Sequence, residues 1–291
     1  RYIEFCKDTM RLCTDLSGLK IVIDCANGAA YQVGPKVFRE LGAEVEAIGV
    51  TPDGLNINEG VGSTDPNALM HAVISNQANL GIALDGDADR VVMVDEEGAL
   101  VDGDEIIYII AASLHRQGHM EGGVVGTLMT NLGLEKALAA MEIPMVRTKV
   151  GDRYVVEAME QNKWTLGGET SGHIICSDLI STGDGLVAAL QVVKALRISG
   201  QTLSEARRGM NKYPQFLINV PQALPDHLHD PIVVGAVEAV EALLGDSGRV
   251  IIRPSGTEPV VRVMVEGIDS AQVKASAERI ASSVEKAASI S

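Results

Sequence analysis

The sequence predicts an α/β protein in which two similar α/β three-layer units are followed by a smaller α+β domain with an antiparallel sheet. Three observations predict it. Short apolar runs of strand length alternate with segments of helical spacing, and the alternation occurs twice over. From Tyr213-Pro-Gln onward the order changes, and two strand candidates lie side by side across a short loop. At 291 residues the chain exceeds one ordinary domain, so two or three cores are expected.

In order along the chain, residues 1–7 are an amphipathic stretch, and Thr-Asp-Leu-Ser-Gly at 14–18 breaks the pattern. The run 19–24 is an apolar strand, and 31–41 carries Val33, Val37, Phe38 and Leu41 at helical spacing. A strand over 44–50, a helix over 66–77 and a strand over 80–84 follow. A hairpin over 91–101 turns at Glu-Glu-Gly, and a helix runs from Asp104 to about His115. A glycine-rich polar hinge near 116–123 closes this unit.

The second unit reads strand 124–127, helix 132–141, strand 145–148, helix 154–161, strand 164–166, a loop and helix 185–196. Alternation of this kind implies largely parallel sheets covered on both faces. The last unit reads strand 216–220, helix 233–244, strands 250–253 and 260–266, and a closing helix from Ala271.

Composition bounds the function. With 24 Lys and Arg against 39 Asp and Glu, the formal charge is −15, which disfavours nucleic acid and anionic membranes as partners. An anionic substrate must then be held by locally clustered cations. Cys6, Cys13, Cys25 and Cys176 form neither a CxxC pair nor a disulfide framework, which suits free thiols in a reducing cytoplasm. The longest apolar run, 106–112, is far short of the roughly 20 residues of a spanning helix, and no signal-peptide core is present. The chain opens on Arg1, in what reads as the middle of a longer protein.

The sharpest chemical signal is Asp85-Gly-Asp-Ala-Asp-Arg90, where strand 80–84 runs out. Carboxylates at alternate positions of an extended loop project to one side, so Asp85, Asp87 and Asp89 are expected to converge. Two like charges about 4 Å apart repel by roughly 4 kcal/mol at an effective dielectric of 20, so the cluster calls for a cation, with Mg²⁺ its natural occupant. A calcium loop counted from Asp85 places Asp87, Asp89 and Glu96 suitably, but its sixth position is Arg90 and not glycine, and its flanks are strand-like. A plain acidic turn is the structural alternative.

Arg253-Pro-Ser-Gly-Thr-Glu-Pro-Val-Val-Arg262 joins two strands of the last unit. Arg253 and Arg262 supply guanidinium forks, Ser255 and Thr257 hydroxyls, and Gly256 lets backbone N–H groups turn toward a phosphate. A tight hairpin with solvated arginines fits the same residues. In Gly167-Gly-Glu-Thr-Ser-Gly-His173, the side chains of Glu169, Ser171 and His173 suit adjacent sugar hydroxyls, as they would also suit an ordinary turn. No nucleophile elbow accompanies Ser171, so a Ser/His hydrolase is not indicated. In Lys149-Val-Gly-Asp-Arg153, Asp152 is by default a helix N-cap, and Lys149 and Arg153 suit either plain surface charges or further phosphate contacts at a helix N-terminus.

In this order and on separate units, the four loops resemble the α-D-phosphohexomutase family across nearly the whole chain, and within it the bacterial phosphoglucosamine mutase branch. Gly126-Thr-Leu-Met-Thr-Asn and Val263-Met-Val-Glu-Gly fit as well. The resemblance implies four domains around a cleft, with residues 1–15 a connector or the tail of an absent domain 1. On the same basis 16–118 is the metal-binding domain, 119–211 the sugar-binding domain and 212–291 the phosphate-binding domain. It implies interconversion of glucosamine 6-phosphate and glucosamine 1-phosphate through a phosphoserine and a bisphosphate, on the route to the cell wall, in a protein for which a homodimer is typical.

In that scheme Asp85, Asp87 and Asp89 hold Mg²⁺, and Arg90 faces the transferring phosphoryl group. Glu169, Ser171 and His173 read the sugar. Arg253, Ser255, Gly256, Thr257 and Arg262 grip the other phosphate, and Lys149 assists a phosphate or relays a proton. The family's Thr/Ala-Ser-His-Asn-Pro phosphoserine motif does not occur in the 291 residues, so this polypeptide alone is expected to be inactive. Phosphomannomutase or phosphoglucomutase activity, and a non-catalytic phosphosugar- and metal-binding module, are the competing readings.

Overall fold

A computed structural model describes residues 1–11, 13–221, 223–255 and 260–290. They divide into two compact units: Arg1–Thr130 with Leu134–Asn211, and Asn131–Gly133 with the described residues from Lys212 on.

The larger unit opens with α1 (Tyr2–Met10), β1 (Lys20–Asp24), α2 (Val33–Glu40), β2 (Glu44–Ile48), α3 (Asn67–Asn76), β3 (Leu80–Leu84), β4 (Val91–Asp95), β5 (Leu100–Val101) and α4 (Gly103–Arg116). It continues with β6 (Val124–Thr127), α5 (Leu132–Ala140, its first two residues grouped with the second unit), β7 (Met145–Thr148), α6 (Asp152–Asn162), β8 (Leu166–Gly168), β9 (Ile174–Cys176), α7 (Gly185–Ser199) and α8 (Leu203–Arg207). Its two sheets have the orders β2-β1-β3-β4-β5 and β7-β6-β8-β9. In both, the first three strands in sequence are parallel and the next returns antiparallel, which is the structural form of the repeated alternation.

Every residue of β3 and of β4 is buried, as expected for strands covered on both faces. Ile21, Ile23, Ile82, Leu84 and Met93 pack with Phe38 in one core, whereas Val22, Ala83, Val92 and Val94 pack with Leu69 and Val73 in another. Neighbouring strand residues thus serve opposite cores, the period-2 consequence of strand geometry. Full burial of each large aliphatic side chain contributes on the order of 1.5–3 kcal/mol.

Helix α4 begins one residue earlier than the sequence suggests, because Asp102 and Glu105 form a capping box around its first turn. The strand expected over 164–166 is found two residues later, at Leu166–Gly168. Position 167 of this strand is a glycine because a Cβ there would lie 2.7 Å from Met159 Sδ and 3.0 Å from the Val125 carbonyl oxygen. Strand β9 pairs with it, Leu166 opposite Cys176 and Gly168 opposite Ile174. Residues 169–173 are therefore the tip of a β-hairpin. Asp152 is the first residue of α6 and not its cap, a position held by Gly151 at φ +130°.

In the second unit, β10 (Gln215–Pro221), β11 (Gly248–Pro254) and β12 (Val260–Gly267) form an antiparallel sheet in the order β10-β12-β11. Helices α9 (Pro231–Leu244) and α10 (Ser270–Ile290) contribute Val240, Val273, Ala277 and Ile280 to a core shared with Val261, Val263 and Val265 of the central strand. Arg249 and buried Glu266 pair at 2.6 Å beside it. Among the described residues, no helix is long and apolar enough to cross a membrane.

Candidate functional site

The loop joining β3 to β4 is held tight by its own backbone. The Ala88 N–H donates to the Asp85 carbonyl at 3.1 Å, and Ala88 takes φ +64°. A side chain at Gly86 would collide with Ile57, so the loop sits close under the segment before Asn58. Asp85, Asp87 and Asp89 each present an oxygen, and these three atoms lie within 4.8 Å of one another. Asp85 is buried, Asp87 exposed and Asp89 half-buried.

Arg90 closes the loop electrostatically. Its backbone N–H reaches Asp85 Oδ1 at 3.0 Å and its Nε reaches Oδ2 at 2.7 Å, while Nε stands 3.6 Å from Asp89 Oδ1. Burial pushes the Asp85 carboxyl upward, but the Arg90 backbone and guanidinium bonds outweigh it and hold the group below the usual carboxylate range. Asp89 is driven the other way, first by burial and then by the neighbouring Asp85 charge, with His173 offsetting part of the rise. The Arg90 side chain remains 39% exposed, which leaves part of its guanidinium facing solvent.

A divalent cation suits this donor set. Asp89 Oδ1 is shut off from solvent and has no hydrogen-bond partner, its nearest compensating charge being Arg90 Nε at 3.6 Å, so a carboxylate oxygen beside two others keeps room for a divalent ion. Asp85 has both oxygens engaged by Arg90, yet each carboxylate oxygen keeps a second lone pair for a hard ion. The flanking elements are strands β3 and β4, so the helix–loop–helix of a calcium sensor is not what surrounds the loop.

The hairpin tip at 169–173 is joined to this loop along a continuous seam. Arg90 and His173 form an isolated antiparallel bridge, the Val91 N–H donates to the Gly172 carbonyl at 3.0 Å, and His173 Nδ1 lies 3.1 Å from Asp89 Oδ2. Gly172, at φ +97°, abuts the Val91 backbone so closely that a Cβ would collide with it. Glu169 Oε1 accepts the Gly151 N–H at 2.9 Å, tying the hairpin to the start of α6. Ser171 is exposed at the tip and His173 is buried. Lys149 is exposed, with its ammonium 5.8 Å from the centre of the Tyr154 ring, and Arg153 pairs with Glu157 at 2.8 Å.

Thus Asp85, Asp87, Asp89, Arg90, Glu169, Ser171 and His173 are brought together within one unit, with the loop of Lys149 attached through Gly151. Beside the aspartates opens a cavity of about 570 Å³, lined by Asn27, Asn58, Tyr31, Asp87 and Arg90 among others. Asn27 and Asn58 were not anticipated; both take the left-handed backbone conformation, at φ +50° and +59°, which asparagine tolerates. A smaller cavity of about 210 Å³ touches Leu19 and Leu80, at the amino ends of β1 and β3. The aspartates lie at the carboxyl end of β3, the end at which ligands bind in open α/β sheets, and for that reason the larger cavity is the relevant one.

Two supporting residues also escaped the sequence reading. Thr170 Oγ1 donates to buried Asp104 Oδ2 at 2.9 Å, and the Gly103 N–H donates to the Thr170 carbonyl at 3.1 Å. The Asp102-x-x-Glu105 capping box was the available signal that a helix starts there.

In the second unit, Arg253 of β11 and Arg262 of β12 are directly opposite each other, so their side chains leave the same face of the sheet. The Ser255 N–H donates to the Val260 carbonyl at 2.8 Å and draws the two strand ends together. Two guanidinium groups on one face of the hairpin are donors of the kind that suits a phosphate. Gly256 and Thr257 lie outside the described residues.

The chain matches three domain models of phosphoglucomutase/phosphomannomutase: alpha/beta/alpha domain II over residues 1–98, alpha/beta/alpha domain III over 102–213 and the C-terminal domain over 214–283. It is 55% identical over 285 residues to a phosphoglucosamine mutase of Nitrosococcus oceani, covering 98% of this chain and 63% of that protein. It is 56% identical over 291 residues to one of Aeromonas hydrophila, covering 99% of this chain and 65% of that protein. The chain therefore spans a little under two thirds of the length of these relatives.

A solved structure of Aspergillus fumigatus N-acetylphosphoglucosamine mutase, in complex with GlcNAc-6P and magnesium, shares the fold with a TM-score of 0.81 at 21% identity, over 99% of this chain and 65% of that one. A phosphoglucomutase/phosphomannomutase family protein of Burkholderia thailandensis does so with a TM-score of 0.78 at 19% identity, over 98% and 64%. With its matched domain models covering almost every residue, the chain belongs to the phosphoglucomutase/phosphomannomutase family, the α-D-phosphohexomutases.

Proposed function

We propose that this chain is the metal-, sugar- and phosphate-binding part of a phosphoglucosamine mutase, which interconverts glucosamine 6-phosphate and glucosamine 1-phosphate in the bacterial cytoplasm. The observation that carries the reading is the convergence of Asp85, Asp87 and Asp89 within 4.8 Å, on a loop bonded directly to the Glu169–His173 hairpin. The 55–56% identity to phosphoglucosamine mutases supports the choice of sugar. In this reading 16–118 carries the metal, 119–211 the sugar and 212–291 the distal phosphate.

Phosphoryl transfer depends on alignment and on neutralising charge that is spread over the transferring group. Asp85, Asp87 and Asp89 would hold Mg²⁺, which when bound supplies positive charge to that group. Arg90, half anchored on Asp85, turns its remaining N–H groups toward the same charge. Glu169, with Oε1 fixed by Gly151, presents its carboxylate to sugar hydroxyls, and Ser171 adds a second polar contact at the exposed tip. Arg253 and Arg262, with Ser255, Gly256 and Thr257, retain the phosphate that is not reacting, and Lys149 assists from the start of α6.

No Thr/Ala-Ser-His-Asn-Pro motif occurs in the 291 residues, so the phosphoserine that donates and recovers the phosphoryl group is not supplied by them. The 291-residue polypeptide is accordingly expected to bind its ligands without turnover. Phosphorus NMR of glucosamine 6-phosphate incubated with this polypeptide, Mg²⁺ and a trace of glucosamine 1,6-bisphosphate tests this. Appearance of the 1-phosphate from the polypeptide alone would overturn it. Calorimetric preference for mannose 6-phosphate over glucosamine 6-phosphate would move the assignment to phosphomannomutase.

A further inference from the structure

We propose that His173 is a positioning residue for the metal loop, its Nδ1–H steering Asp89 so that one carboxylate oxygen is held and the other is left for the cation. This rests on the metal reading above and departs from the assignment of His173 to the sugar. Four observations carry it.

First, His173 Nδ1 lies 3.1 Å from Asp89 Oδ2, and since a carboxylate only accepts, Nδ1 must carry the proton. Second, the other oxygen of the same carboxylate, Oδ1, is the buried atom that has no hydrogen-bond partner. One side of Asp89 is therefore held by the imidazole, and the other, with no hydrogen bond and only the Arg90 guanidinium 3.6 Å away, faces the cluster of three aspartates.

Third, the ring is not presented to a ligand. Its side chain is 9% exposed, and Gly183 closes over Cε1 and Nε2 so tightly that a Cβ there would collide with both. Fourth, the imidazole has little freedom to leave. The backbone of His173 is bridged to Arg90, its carbonyl accepts the Glu169 N–H at 3.0 Å, and Ile174 after it begins β9. A rigidly mounted imidazole that donates to a carboxylate ligand is the type of support that fixes a metal ligand's orientation, and loss of such a partner typically lowers metal affinity about 10–100-fold. The hairpin that carries Glu169 and Ser171 thereby also sets the aim of Asp89.

The test is Mn²⁺ and Mg²⁺ titration calorimetry on the 291-residue chain with its His173→Asn and His173→Gln variants, each checked by thermal unfolding. The Asn amide places a donor near the Nδ1 position, whereas the Gln amide, closer in volume to His, places it one bond further out. Expected are affinities for His173→Asn within about threefold of wild type and a loss of about 10–100-fold for His173→Gln, with both variants folded. A packing role predicts the reverse order, since Gln fills the space better.

His173→Gln binding as tightly as wild type overturns the proposal, as does a tenfold loss in His173→Asn. Should His173→Gln unfold, the Asn variant alone decides by the same thresholds. Absence of any cation binding by the wild-type chain would instead remove the metal reading itself.

Discussion

Thr170 Oγ1 donates to Asp104 Oδ2 at 2.9 Å, and through this bond the hairpin tip at 169–173 is seated on the first turn of α4. Asp104 is fully buried, and Gly103 beside it passes so close to the Glu169 and Thr170 carbonyls that a Cβ would collide with the first. The helix start is thus a platform for the hairpin, and the hairpin in turn supports the aspartate loop through Gly172 and His173.

Asp104→Ala removes the buried acceptor of the half-buried Thr170 hydroxyl and is expected to cost about 1–3 kcal/mol. Gly103→Ala overpacks the same seat and is expected to cost a similar 1–3 kcal/mol. Urea unfolding measures both, and a Gly103→Ala variant as stable as wild type would show that the hairpin can move away without penalty.

Binding of a divalent ion to the folded chain alone must raise its stability, by about 2.7 kcal/mol when the free ion is at 100 times its dissociation constant. Mg²⁺ is therefore expected to raise the thermal unfolding midpoint, and excess EDTA to reverse the rise. Asp87 is exposed and its charge adds to the repulsion among the metal-free carboxylates, so Asp87→Asn is expected not to lower the metal-free midpoint while abolishing most of the Mg²⁺ response. A full response in Asp87→Asn would place the ion elsewhere.

Arg253→Ala removes one of the two guanidinium groups that face each other across β11 and β12. With hydrogen bonds to charged groups contributing roughly 1.5–3 kcal/mol, glucosamine 6-phosphate should bind about 10–100-fold more weakly by calorimetry. Unchanged affinity contradicts the assignment of that hairpin to phosphate.

Cys6, Cys25 and Cys176 are buried, and burial pushes each thiol up to about 12. Native alkylation with iodoacetamide near pH 8 is expected to add one label, at the partly exposed Cys13, and four after denaturation, as read by intact mass. Because the folded values lie above the unfolded value of 9.0, these thiols support folding fully below that pH. Their contribution is lost as pH rises from about 9 toward 12, so thermal stability should decline across that window. A midpoint that stays flat from pH 9 to 11 would argue against it.

Much of the fold was legible because strand and helix signals are local. The alternation of apolar runs with helical spacings located the strands from 19–24 to 260–266 within a few residues, and the charge pattern of Asp85-Gly-Asp-Ala-Asp-Arg90 singled out its loop. Helices α1 and α8 and strand β9 were not assigned, and β8 was placed two residues early. In β8 the glycines look like a loop in one dimension, but Gly167 is required by the approach of Met159 and Val125, which sequence spacing does not encode.

The sequence by itself determined the α/β class, the change to an antiparallel last sheet and the residue types able to hold a cation, a sugar and a phosphate. Only the tertiary structure decided that Asp89 faces His173, that Arg90 pairs with Asp85 and bridges to His173, and that Thr170 rests on Asp104. The reason is that periodicity and propensity act between neighbours a few residues apart, whereas the orientation of a side chain is set by whichever distant backbone fills the space beside it.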